Sequence, residues 1–379
     1  TMLTAETAPT YVREAGVLAN ASKAVEIVGG NLNYAFEVSD DTGASVFLKQ
    51  TPGYVKVLGP EAKISDQRLL VERQAYAEWT SAIASDSAAA ACLPAVQHFD
   101  AKRMVMILDF LGSYTLLHDR LIQGSADEGV PSALGSFLGA AHGATHSSRV
   151  TPERAAALTK SFANEELRGL QLEYVFTKCY REAERAAVLR EDAAFMAEIE
   201  ALKAVYRGEV SANLALCHGD FHAGSVMVAP LVDQDLAASV KAIDPEFAIY
   251  GPPGVDLGCL FSSYVLATVQ RSIMGTADEV HRLRAAIGEI WEAYTAGMTR
   301  HGISEDTLDS IARDAAGFAG CEVARTALGF AGVRGLAIPD ADAKAKAEAT
   351  ALGIAERCIK GRTAGVTAIS KELEGLLPL

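Results

Sequence analysis

Two short apolar runs inside a long helical sequence limit the fold of this chain more than any other feature. Leu116–His146, Glu153–Tyr206, Thr276–Gly297 and the stretch from Asp306 onward are Ala- and Leu-rich with helical spacing. Strand patterns break that run at His218–Val228 and Val240–Ile243. Each of the two is joined to carboxylates. Leu216–Val228 reads LCHGDFHAGSVMV and carries Asp220 in a His-Gly-Asp turn; Val240–Tyr250 reads VKAIDPEFAIY and carries Asp244 and Glu246 just past VKAI. Carboxylates beside such apolar flanks need partners. A hairpin-like unit would bring both acidic clusters to one cleft.

The first hundred residues have a different character. After a short helix, Lys23–Val28, Asn33–Ser39 and Ala44–Gln50 read as strands, the last two joined by Asp40-Asp41-Thr42-Gly43. A helix is predicted over Ser65–Ala84, capped by Ser65 or Asp66, with Leu69, Leu70, Ala75, Tyr76 and Trp79 on its apolar face. Arg103–Phe110 (RMVMILDF) reads as a buried strand, and Ser81–Ala91 as helix or loop. The expected class is therefore α+β and bilobal: a β-rich lobe over residues 1–110 with one main helix, and a larger helical lobe over 111–379. The hinge is expected near Leu108–Ser113.

The net charge of −14 argues against nonspecific binding to a nucleic acid backbone, which needs clustered Lys and Arg. No apolar run approaches bilayer length, and the opening TMLTAETAPTYVREAG lacks a basic start followed by an apolar core. The six scattered cysteines form no C-x-x-C pair. These features together predict a cytoplasmic protein with reduced, buried thiols and no membrane partner.

The chemistry suggested by the acidic clusters is phosphoryl transfer. That reaction needs a carboxylate for the proton of the attacking hydroxyl, metal-binding carboxylates and a lysine for the phosphates. Asp220 suits the first role. Asp244 and Glu246 flank one proline, so an extended segment would turn both toward the same ion. Lys49 closes the apolar run SVFLK, and Glu72 on the next helix is placed to pair with it. Singly, these residues read as an edge charge, a helix-surface charge and a turn residue. It is the set that carries the argument. Val28–Phe36 (VGGNLNYAF) adds a Gly-rich turn in which Gly29 and Gly30 let the backbone approach phosphates and Asn31 or Asn33 tightens the turn; alone it is an ordinary hairpin. His218 and His222 have the i, i+4 spacing of a zinc pair, which leaves a metal hydrolase as a competing reading. Gly219 and Gly224 favour a loop over the helix such a pair requires.

Together these motifs resemble a family. His-Gly-Asp-x-His followed by D-x-E resembles the aminoglycoside phosphotransferases and choline kinases, with their protein-kinase-like fold. GGNLNYAF, HGDFHAGSVMV, IDPEFAIYGPPGVDLG, ANEELRGLQLEYVFTKCY and GCEVARTALG are similar to strings of the 5-methylthioribose kinase branch. The resemblance implies ATP and Mg²⁺ as cofactors and 5-methylthioribose, or a related 5-substituted pentose, as acceptor. It implies Asp220 as base and Asp244, Glu246 and Ser225 around magnesium. Gly30, Asn31, Asn33, Lys49 and Glu72 would lie at the nucleotide, and the backbone around Met106 and Leu108 would receive adenine. His222, Asp220, Arg325 and Thr326 would face the acceptor, and a homodimer is possible. One departure is Arg325-Thr326, where the branch has an arginine pair; Thr326 removes a fixed cation. The same motifs also fit an antibiotic phosphotransferase or a catalytically silent kinase-like binding protein, and the presence of Asp220 and Asp244 speaks against the second.

Overall fold

The computed structural model of the chain describes residues 2–210, 213–230, 240–331 and 336–376. Strands β1 (Lys23–Glu26), β2 (Tyr34–Ser39), β3 (Ser45–Gln50), β4 (Val96–Asp100) and β5 (Val105–Asp109) form one antiparallel sheet in the order β1-β2-β3-β5-β4. The two-residue period sorts its side chains. Phe36, Val38, Val46, Leu48, Val105 and Ile107 pack beneath the N-terminal helix Ala8–Glu14. Met106 and Leu108 point the other way, into the core shared with the helix Arg68–Ala82. Lys49 lies opposite Met106 in the β3–β5 register and alternates with the buried Leu48, so it faces that helix too.

Two elements differ from the sequence reading. β4 is an additional strand: its VQHFD is half polar and only partly buried, and it is an edge strand paired through a bulge at Val96/His98. The long helix starts at Arg68, not Ser65, and its cap residue Gln67 makes no side-chain cap. The Ser65 hydroxyl instead accepts the Gln67 N–H at 3.1 Å, closing a turn before the helix.

Beyond β5 the chain is mainly helical. Two small sheets are set among these helices, β10 (Ile249–Gly251) with β7 (Ala215–Cys217), and β6 (Thr115–Leu116)–β8 (Val226–Val228)–β9 (Val240–Ala242). β8 and β9 pair antiparallel, Val226 opposite Ala242. The sequence on either side of this pair carries Asp220 and Asp244. Behind them stand the buried helix Gly254–Met274 and the helices Val130–Thr145, Ala277–Arg300 and Glu305–Ala327. Gly135 and Gly139 let the second and third approach closely: a Cβ at either would meet a backbone carbonyl, of Ile290 and Tyr294. No helix among the described residues is long and apolar enough to cross a membrane. All six cysteines are buried.

Candidate active site

The site begins with Lys49. Its ammonium is buried, contacts Glu72 at 2.5 Å and also pairs with Asp244, which follows β9. Glu72 is no surface charge; it is 2% exposed. Burial alone would lower the lysine, but Asp244, Glu72 and Glu246 outweigh it and hold it well above its ordinary value. Burial pushes Glu72 up, to about 8. Glu246 is also raised, by burial and then by Asp244.

Asp244 and Glu246 do not lie in an extended segment. Asp244 adopts a left-handed conformation (φ +65°), and Pro245–Phe247 turn as a short 3₁₀ helix. Aspartate is among the few residues that tolerate this region, and proline fits the first turn position. The turn still places one oxygen each from Glu72, Asp244 and Glu246 within 4.8 Å of one another. Three carboxylates there face two cations, Lys49 and Arg68. The donor set is all oxygen, the preference of a hard divalent cation such as magnesium.

Arg68 carries no signal in the sequence, where it reads as one more charge at a helix start. It is 2% exposed. Its Nε lies 3.2 Å from Glu246, and its terminal nitrogens donate to the carbonyls of Leu32, Pro52 and Ser65 and to Asn33 Oδ1. Asn33 in turn donates to Glu246 Oε2 at 3.0 Å. Asn33 thus reaches across to the acidic turn rather than only tightening its own. Gly29 has φ +126°, and Gly30 and Asn31 are exposed. Asn164, itself left-handed, donates to the Glu246 and Ala248 carbonyls and fixes the turn from the helical side.

Asp220 sits in a loop held at several points. The amides of His218 and Gly219 donate to Asp256 at 2.7 and 2.8 Å, and Asp256 also contacts His142 Nε2 at 3.0 Å. Asp256 is fully buried in the first turn of its helix. It lies in the GPPGVDLG string, but nothing in the spacing marks it as a partner of the loop. His218 Nε2 bonds the Ile243 carbonyl, tying the Asp220 loop to the residue before Asp244. His222 Nδ1 accepts the Gly224 N–H, which puts the ring proton on Nε2, 3.3 Å from Asp220 Oδ2. The two imidazoles are thus engaged with different partners. Ser225 is buried and donates its hydroxyl to the Asp220 carbonyl at 2.9 Å.

Arg325 and Thr326 end the helix Glu305–Ala327. Arg325 is buried and pairs with Glu322 at 2.9 Å. Burial would lower it, but Glu322 and then Asp220 hold its charge. Thr326 lines a cavity together with His222. Met106 and Leu108 are buried on β5.

The model of the phosphotransferase enzyme family matches residues 23–300, from β1 to the end of the helix Ala277–Arg300. The chain belongs to this family. The phosphotransferase is 27% identical to a methylthioribose kinase of Exiguobacterium sibiricum over 93% of its own length and 92% of the relative's. It is 29% identical to a methylthioribose kinase of Geobacillus kaustophilus, covering 88% and 86% of the two chains. Among solved structures, a microcompartment-associated aminopropanol kinase superposes with a TM-score of 0.51 at 14% identity, covering 94% of this phosphotransferase and 99% of that chain. That likeness concerns the fold.

Proposed function

We propose that this phosphotransferase moves the γ-phosphoryl group of ATP onto the anomeric hydroxyl of 5-methylthioribose or a closely related 5-substituted pentose. The observation that carries the reading is similarity to methylthioribose kinases along nearly the whole of both chains, and the clustered carboxylates of Glu72, Asp244 and Glu246 beside Lys49 support it.

In this reading Lys49, held by Glu72, contacts the phosphate oxygens of ATP. Asp244 and Glu246, with Ser225 beside them, would hold magnesium, which when bound would neutralise charge on the transferring group. Gly30, Asn31 and Asn33 lie against the phosphates. The backbone around Met106 and Leu108 receives adenine. Asp220 orients the acceptor hydroxyl and takes its proton as the new O–P bond forms and the bond to ADP breaks. His222 donates to one Asp220 oxygen and fixes the carboxylate. A hemiacetal hydroxyl is more acidic than an ordinary alcohol, so a carboxylate suffices as acceptor of the proton. Arg325 supplies a fixed positive charge near the transfer.

The test is ADP release from Mg-ATP with 5-methylthioribose, ribose, 5-deoxyribose and an aminoglycoside panel. Turnover of 5-methylthioribose above all others is expected. Turnover of an aminoglycoside and of no pentose would replace this reading with the antibiotic phosphotransferase. Asp220→Asn should lower kcat by roughly 10²- to 10⁴-fold and leave ATP binding nearly intact.

A further inference from the structure

A cavity of about 40 Å³ lies beside the Asp220 loop. Its walls come from four places: Leu121 on the short helix Leu117–Ile122, the turn at Ala223, Leu266 and Ala267 on the helix Gly254–Met274, and Leu336. Thr326 closes one side, and His222 forms the wall toward Asp220. Among the described residues, no Asp, Glu, Lys or Arg lines it.

Most of the polar groups in the wall are already engaged within the protein. Ser262 and Ser263 both donate to the Cys259 carbonyl, and Ser263 also accepts the Ala223 amide. Thr326 donates to the Glu322 carbonyl. Gln270 donates to the Ile122 carbonyl and accepts the Ala337 N–H. His118 also lines the cavity. With most of its hydrogen bonds satisfied internally and no carboxylate in it, the wall offers little to a ring of hydroxyls and little to a cation. It suits a neutral, apolar group, because burying such a group strands no polar partner. A site for one water needs roughly 10–15 Å³ by the same measure, so the space holds about three small groups.

We infer that this cavity receives the 5-substituent of the acceptor and selects a short, uncharged alkyl or thioalkyl chain there. The inference rests on the function proposed above. His222 supplies the link: one imidazole separates the cavity from Asp220. A pentofuranose carries its anomeric hydroxyl and its 5-carbon on opposite sides of the ring oxygen. A ring lying over His222 therefore presents the hydroxyl to Asp220 while its 5-substituent enters the cavity. Leu266, Ala267 and Leu121 then act as specificity-determining residues, and Thr326 keeps the wall neutral.

The experiment measures kcat/KM for 5-deoxyribose, 5-methylthioribose and 5-(n-butylthio)ribose with wild-type enzyme, Ala267→Leu and Leu266→Ala. Wild type should prefer the methylthio sugar over 5-deoxyribose by roughly 10- to 200-fold, and the butylthio sugar should fall back. Ala267→Leu should lower the methylthio/deoxy ratio at least about tenfold, and Leu266→Ala should raise the butylthio/methylthio ratio. A thermal melt checks that both variants are folded, and the wild-type series decides the matter if they are not. Turnover with a flat profile across the three sugars overturns the cavity inference and leaves the proposed function standing. So do unchanged ratios in both folded variants. No turnover of any pentose overturns the function and the inference together.

Discussion

Asp256 accepts the backbone N–H of His218 at 2.7 Å and so fixes the loop that carries Asp220. The neighbouring Gly219 N–H goes to the other carboxylate oxygen. Gly219 has φ +82°, and a Cβ there would lie 2.0 Å from the Phe247 carbonyl oxygen. One buried anion and one glycine therefore set the loop's path past the Pro245–Phe247 turn. Asp256→Asn keeps the size but points an amide donor at a backbone donor. It is expected to cost about 3 kcal/mol of stability and to lower kcat at least about tenfold. Urea denaturation and steady-state kinetics check this; wild-type stability would mean the carboxylate is not what holds the loop.

Lys49 places its ammonium between Glu72 and Asp244. Lys49→Met leaves the buried Glu72 and the exposed Asp244 without it, so ATP affinity and turnover should both fall, kcat by roughly 10²-fold or more. Glu72→Gln keeps a hydrogen-bond acceptor for the lysine and is expected to raise KM for ATP more than it lowers kcat. Isothermal titration with ATP, alongside kinetics, separates the two. Equal ATP affinity in all three proteins would remove the pair from nucleotide binding.

Arg68 and Asn33 together hold Glu246. Groups that orient a metal ligand without touching the metal typically contribute 10- to 100-fold to its affinity. Arg68→Met should therefore raise the half-saturating Mg²⁺ concentration at least about tenfold at fixed ATP. Arg68→Lys should recover only part, because a point charge cannot serve Glu246, Asn33 and three carbonyls at once. An unshifted Mg²⁺ titration in a folded variant would refute the assignment.

The residues legible in the sequence are those announced by a local conflict. Asp220, Asp244 and Glu246 stand out because charges interrupt apolar runs, and Lys49 because it ends one. The strands around β2 and β3 follow from alternation and a strong turn, and the Arg68–Ala82 helix from its apolar face. Arg68, Asp256 and Asn164 leave no such trace. Most of their partners are backbone groups distant in the chain, and a side chain that bonds a backbone amide or carbonyl imposes no residue type on its partner. The D-P-E turn misleads for a related reason. Alternation about a proline fits an extended segment and a 3₁₀ turn equally, and the left-handed Asp244 decides between them. β4 escapes notice because an edge strand need not be apolar.

His146 gives the fold a pH dependence apart from the site. It is 1% exposed and bonded through Nδ1 to Ser148 at 2.8 Å, and burial, with His142 nearby, lowers it to about 4 from the usual 6.5. Near pH 7.5 neither folded nor unfolded chain protonates it. As pH falls through 6.5 the unfolded chain binds the proton first, so stability is lost progressively down to about pH 4. The loss amounts to about 3 kcal/mol at most. Asp314 works against it: burial raises that carboxyl to about 6, so the folded chain gains a proton, and stability, as pH falls from 6 toward 4. The wild-type profile contains both. His146→Gln removes only the first, so its stability relative to wild type should improve by about 2.5 kcal/mol between pH 7.5 and pH 4.5. Urea denaturation of the two proteins across this range makes the measurement, and a difference that stays constant with pH would show that His146 titrates normally.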